Sequence, residues 1–347
     1  MRSIPLLFLV FSFWNCTKPA EKAVVEEEVL LEPHSSLGPQ RLSDYGFFEG
    51  TLRDLKPASG VFIYHINAPL FSDYALKLRM IRLPESKRMQ YHPTASFEFP
   101  EGTILIKNFY YPADFGNPEG ERRILETRLL VLNQGEWQPL TYIWNYEQTE
   151  AYLEIAGQSV PVSWREKSGV LRTIDYSVPS VNQCRGCHLK GEKVMPIGPS
   201  ARQLHVGDQL TQWSHAGLID GLPDASAIPQ LANYEDTTQP LNDRARAWLE
   251  INCAHCHRPD GQGKTSGLHL MADESSPLAL GIGKAPVAAG KGSGGRRYSI
   301  VPGQPDESIL VYRIESTDPG VMMPEMGRRL VHEEGVALIR EWIQSLK

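Results

Sequence analysis

The chain has 347 residues, 41% of them hydrophobic and 22% charged, with a formal net charge of -6. That length and composition describe a globular protein of about two domains, at roughly 150 residues per domain. The acidic balance argues against a nucleic-acid partner, which needs a basic face to meet phosphate.

Arg2 precedes an apolar run from Ile4 to Trp14, and Cys16 follows after Asn15. A charged start and a short apolar run read as an export signal over residues 1–16, because a membrane-spanning helix needs about 20 apolar residues. No later segment approaches that length. A cysteine just after such a run resembles the lipidation site of bacterial lipoproteins; the alternative is a plain cleavable signal with an incidental cysteine. The resemblance implies a lipid anchor on Cys16 and a place in the periplasm or cell envelope. Acyl chains hold by about 0.8 kcal/mol per buried CH₂, so two or more anchor stably.

Residues 17–45, with Glu26-Glu27-Glu28 and scattered Pro and Ser, read as a flexible tether. The next region, 46–215, is strand-like. Gly60–Ile66, Ser96–Phe99, Thr103–Tyr111, Thr127–Leu132 and Leu140–Tyr146 are short β-branched or aromatic runs punctuated by Gly, Pro, Asn and Asp. They predict a β-rich antiparallel N-terminal domain. From Leu241 the rhythm changes: Leu241, Ala245, Trp248 and Leu249 share one helical face, as do Val336, Ile339, Trp342, Ile343 and Leu346. A domain boundary is expected near 215–240, where Pro223, Pro229 and Pro240 interrupt regular structure.

Five cysteines divide into Cys16 and two C-x-x-C pairs, Cys184/Cys187 and Cys253/Cys256, and each pair is followed at once by a histidine, His188 and His257. C-x-x-C-H is the attachment sequence of c-type haem. Two thiols three positions apart reach the two vinyl groups of one porphyrin, and the adjacent imidazole ligates the iron from below. A disulfide framework leaves the trailing histidines unexplained, and so does a pair of zinc knuckles. The expectation is two covalent haems, with His188 and His257 as proximal ligands.

The segment 240–347 resembles a class I cytochrome c domain, through its opening helix, Asn252-Cys-Ala-His-Cys-His257, Met322-Met-Pro324 and a final helix with Trp342-Ile343. The resemblance implies an α+β multidomain protein whose β-rich domain precedes a mainly α cytochrome c domain. It also implies Met323 as distal ligand of the second haem, with Met322 next; a thioether suits haem iron and favours the ferrous state. The whole chain after the tether also resembles an uncharacterised family of exported bacterial proteins with paired C-x-x-C-H motifs. Asn67-Ala-Pro-Leu-Phe-Ser-Asp-Tyr74, Pro196-Ile-Gly198 and Val301-Pro-Gly-Gln-Pro-Asp-Glu-Ser308 carry that likeness.

The sixth position of the first haem is open in sequence terms. Met195 and His205 are the candidates, and a vacant position is the third option. Arg296, Arg297, Arg328 and Arg329 are candidate partners for haem carboxylates. His65, His92, His215 and His255 read as structural or surface residues. Electron transfer to redox partner proteins is the leading function. A di-haem peroxidase and a haem redox sensor whose β domain binds a ligand are the alternatives.

Overall fold

The structure, a computed structural model, describes residues 37–347. Its centre is a six-stranded antiparallel sheet. The strands are β1 (Val61–Ile63), β2 (Leu76–Arg82), β3 (Ile104–Pro112), β4 (Arg122–Asn133), β5 (Glu136–Trp144) and β6 (Ala151–Glu154), each hydrogen-bonded to the next in that order. A separate antiparallel hairpin follows, β7 (Gln158–Arg165) with β8 (Leu171–Val178).

Alternation along each strand gives the sheet two different faces. On one face Met80, Ile104, Ile106, Leu129, Leu140 and Tyr142 pack beneath Leu42, Phe47 and Leu55. Leu42, inside the segment that reads as tether, is fully buried, and Arg41 beside it bridges to Tyr152 of β6, so the end of that segment packs on the sheet. The other face carries two apolar clusters. Ile81, Leu105, Leu132 and Trp137 stand at one end. Phe109, Tyr111 and Leu125 pack at the other against Trp164 and Tyr176 of the hairpin.

Between those clusters the register places Arg79 opposite Lys107, Lys107 opposite Arg128, and Arg128 opposite Thr141. A charged row thus crosses the middle of an otherwise apolar face.

The helices are α1 (Val181–His188), α2 (Gln209–His215), α3 (Leu241–Leu249), α4 (Ile309–Glu315) and α5 (Glu333–Ser345). α3 and α5 pack together through Ala245, Trp248 and Leu249 against Ile339, Trp342 and Ile343. Trp342 Nε1 donates to Asn242 Oδ1 at 3.1 Å, and Trp248 Nε1 to His332 Nδ1 at 2.9 Å.

A mainly α class I-like cytochrome c domain over 240–347 is nevertheless not what the chain forms. Helix accounts for 25% of the structure, and from His255 to Ser308 the only helical pieces are single turns such as Lys264–Ser266 and Pro277–Leu280. Gly261, Gly263, Gly267, Gly281 and Gly283 interrupt that interval, and glycine costs about 1 kcal/mol against alanine inside a helix. Nor does the segment bury its core alone, since Ala68, Leu231 and Tyr234 complete it.

The loop 67–74 of the β-rich part joins the two halves. Asp73, 1% exposed, accepts from the amides of Arg329 and Leu330, both at 2.7 Å. Phe71 N donates to Asn252 Oδ1 at 3.0 Å, and the Phe71 ring stacks on His332.

Candidate functional site

The β7–β8 hairpin hands the chain to Ser180, which caps α1. Its hydroxyl accepts from Gln183 N at 3.3 Å, while the Gln183 side chain accepts from Ser180 N at 2.9 Å. This reciprocal pair fixes where the helix begins. Cys184, Cys187 and His188 then fall at i, i+3 and i+4, one stripe of one helix. Cys184 is buried, with its sulfur 4.0 Å from Thr141 Oγ1. After α1 the strands Leu189–Lys190 and Lys193–Val194 fold back on each other. That turn brings the Met195 carbonyl 2.9 Å from His188 Nδ1.

The consequence is chemical. A carbonyl only accepts, so Nδ1 carries the proton and Nε2 keeps the lone pair that ligates a metal. Burial pulls the His188 pKa down to about 3, which holds the ring neutral, as a ligand must be.

The second motif is built differently. α3 runs into a π-helical turn, Glu250–Ala254, which widens the backbone where Cys253 sits. His257 Nδ1 lies 3.0 Å from Ser266 Oγ. That hydroxyl donates to the Gly263 carbonyl at 2.7 Å, so it accepts from Nδ1 and again leaves Nε2 free. The tight return needs its glycines. A Cβ on Gly261 would stand 2.2 Å from the Cys256 carbonyl, and one on Gly263 3.0 Å from His257 Nδ1. Burial pushes Cys253 up to about 12 and Cys256 up to about 11. These are protonated thiols rather than nucleophilic thiolates.

The two motifs, far apart in sequence, meet in space. Gly191 N donates to Asp260 O at 2.8 Å, and Lys190 pairs with Asp260 at 3.8 Å. Cys187 acts on the ionisation of Cys256, and His255 on that of His188. A cavity of about 100 Å³ lies between the motifs, lined by Cys187, His188, Met195, Glu250, His255 and Arg258. His255 is 8% exposed, and its Nδ1 has no hydrogen-bond partner among the described residues. The residue that reads as structural or surface is thus buried at the junction of the motifs.

The loop from Met322 to Arg328 borders both. Arg328 is 5% exposed and donates to the carbonyls of Met323 (2.8 Å), Ser316 (2.8 Å) and Leu330 (3.0 Å). Arg328 and Glu325 act on Cys253 and Cys256, respectively. Met322 is buried, Met323 is half-buried, and the bond from Met323 to Pro324 is cis. On the other side, the Met326 methyl comes within 3.9 Å of where a Cβ on Gly186 would lie. Met326 carries no signal in the sequence beyond its place after Met-Pro-Glu.

The remaining candidates separate. Met195 contributes its carbonyl to the Nδ1 side of His188, away from the ligating nitrogen. His205 Nδ1 lies 3.2 Å from the Ile228 carbonyl. Arg296 donates to the carbonyls of Asp306 and Gly294, and Arg297 lies exposed, 5.8 Å from the Tyr298 ring centroid. Cys16 lies outside the described residues. A larger cavity of about 890 Å³ stands on the far side of the charged row, walled by Phe71, Lys77, Arg79, Trp164, Tyr234 and His332.

The donor sets fit haem. Each offers two thiols and one imidazole within a five-residue stretch, with the outer nitrogen fixed and the inner one free. The described cysteines are free thiols. Among the described residues, no three or more His, Cys, Asp or Glu side chains gather as a metal-ion cage. No helix among the described residues is long and apolar enough to cross a membrane. No protein-family model, curated protein or solved structure matches the chain.

Proposed function

We propose that the chain is an exported di-haem c-type cytochrome that carries electrons between redox partner proteins, tethered to the cell envelope by lipid on Cys16. The observation that carries this reading is the junction of the two C-x-x-C-H motifs across the Gly191–Asp260 hydrogen bond and the shared cavity. Haem iron, when bound, supplies one-electron chemistry between its ferric and ferrous states. The chain's own part is to hold and tune. Cys184 and Cys187 would hold one ring through thioethers, and Cys253 and Cys256 the other. His188 and His257 present Nε2 in a single tautomer, set by Met195 O and Ser266 Oγ. Met323, with Met322 beside it, is the candidate distal ligand of the second ring. Two redox centres anchored next to each other in one chain suit a relay.

The test is mass spectrometry of the full chain matured in a host with a haem-attachment system. Two haem adducts are expected. Replacing Cys184 and Cys187 by serine removes one, and replacing Cys253 and Cys256 removes the other. A wild-type protein with no adduct, or with zinc instead, ends the proposal. Low-spin spectra unchanged by peroxide support a carrier, whereas a peroxide-sensitive high-spin haem replaces it with a peroxidase.

A further inference from the structure

We infer that Arg79 and Lys107 form the receptor for the two carboxylates of the haem attached at Cys184 and Cys187. The inference rests on the di-haem reading and adds to it the residues that seat the far edge of the first ring.

Like charges directly opposite on neighbouring strands destabilise a sheet. Here Arg79 faces Lys107 and Lys107 faces Arg128. One carboxylate answers this row. Glu126, whose side chain is 0% exposed, takes two hydrogen bonds from Arg128, at 2.8 and 2.6 Å, and one from Tyr176 Oη at 2.7 Å. Arg128 is thereby neutralised. The neighbouring Lys77 is held by the carbonyls of Leu70 at 2.8 Å and Ala75 at 3.1 Å.

Arg79 and Lys107 are left over. Arg79 makes one long contact, 3.5 Å to the Lys77 carbonyl. Lys107 has no hydrogen-bond or ion-pair partner among the described residues, only the ring of Phe109 with its centroid 5.2 Å away. Both are half-buried between two apolar clusters, where an unanswered charge is costly. Desolvation pulls the Lys107 ammonium down to about 7. Neither side chain is paired with a carboxylate among the described residues.

The first motif lies over the same row. Thr141 stands opposite Arg128 and touches Cys184 at 4.0 Å. With strands about 4.8 Å apart, Lys107 is about 10 Å and Arg79 about 14 Å from that end. A porphyrin carries its vinyl groups on one edge and its two propionates on the opposite edge. A ring fixed by thioethers at the Thr141 end directs its carboxylates along the row, toward one ammonium and one guanidinium, and both cations form strong charge-assisted bonds to carboxylate. Arg79 also lines the 890 Å³ cavity, so the carboxylate edge borders open space. The arginines that the sequence suggests for this task are otherwise engaged or exposed, Arg328 on four carbonyls and Arg296 on two.

The experiment uses the full, haem-loaded chain and the variants Arg79→Gln, Lys107→Gln and Lys107→Arg, with exposed Lys87→Gln as control. Mass spectrometry comes first: a wild type without an adduct on Cys184 and Cys187 defeats the di-haem reading itself. With both adducts present, resonance Raman spectra of Arg79→Gln and Lys107→Gln are expected to show shifted propionate bending bands. One of the two midpoint potentials is expected to fall, Lys107→Arg to restore it, and the control to match wild type. Adducts in place with wild-type bands and potentials in both glutamine variants overturn the inference. Where the variants do not mature, a crystal structure of the wild-type holoprotein decides. Carboxylates of the first haem on Arg79 and Lys107 support the assignment; carboxylates elsewhere, or another anion on this pair, overturn it.

Discussion

Ser266 Oγ stands 3.0 Å from His257 Nδ1 while donating to the Gly263 carbonyl at 2.7 Å. The same hydroxyl also accepts from Leu268 N at 3.2 Å, so one side chain sets the tautomer of the imidazole and the course of the loop beside it. A bond from Nδ1–H strengthens the imidazole as a donor to iron and favours the ferric state. Ser266→Ala is therefore expected to raise the midpoint potential of the second haem and leave the first unchanged, in a spectroelectrochemical titration. Loss of the local hydrogen bonds is expected to cost about 1–2 kcal/mol of stability.

Gly261 is needed for space. Its Cβ would stand 2.2 Å from a backbone oxygen of the second motif, and backbone cannot swing aside as a flexible side chain can. Gly261→Ala is expected to destabilise the protein by about 3 kcal/mol. It should lower the yield of haem on Cys253 and Cys256 while sparing the first pair. Thermal unfolding and mass spectrometry of the variant check both.

The methionines give a spectroscopic prediction. Met323→Leu is expected to abolish the long-wavelength thioether-to-iron band of the second haem and to lower its potential, since a thioether favours ferrous iron. If the band survives that change and disappears in Met322→Leu, the neighbouring residue is the ligand.

His332 makes stability depend on pH. Burial holds its imidazole down at about 4, and its Nδ1 accepts from Trp248 Nε1 at 2.9 Å, which only the neutral ring can do. The unfolded chain takes up this proton near pH 6.5 and the folded chain does not. The contribution is therefore fully present above pH 6.5 and is lost as pH falls toward 4, at about 1.4 kcal/mol per pH unit. Urea unfolding at stepped pH values should show that slope, and His332→Gln should remove about one proton's share of it.

Some of this was legible from residue order. The motifs were, because C-x-x-C-H fixes i, i+3 and i+4 along the chain without help from the rest of the fold. The amphipathic stripes were as well, and they form α3 and α5. The domain expected around them was not formed, since the glycine-interrupted interval between them stays in loops and takes Ala68, Leu231 and Tyr234 from elsewhere. Leu42 fooled the composition argument: a polar, proline-bearing stretch ends in a residue that the sheet buries.

His255 and Lys107 show a different limit. A histidine between two cysteines reads as incidental until the first motif packs against it. Lys107 is the single charge of its strand, Arg79 and Arg128 share theirs with other charges, and nothing in any one strand says that the three align.

By itself the sequence determined the order of the donors: four paired thiols, each pair with its imidazole, because that pattern depends only on neighbours along the chain. Tertiary structure alone decided that the two motifs adjoin, that Met195 O and Ser266 Oγ orient the imidazoles, and that three cations stand in a row under Cys184. The first and last depend on strand register and on contacts across tens of residues, and the imidazole contacts, seven and nine residues away, depend on how each turn folds back; spacing along the chain encodes none of these.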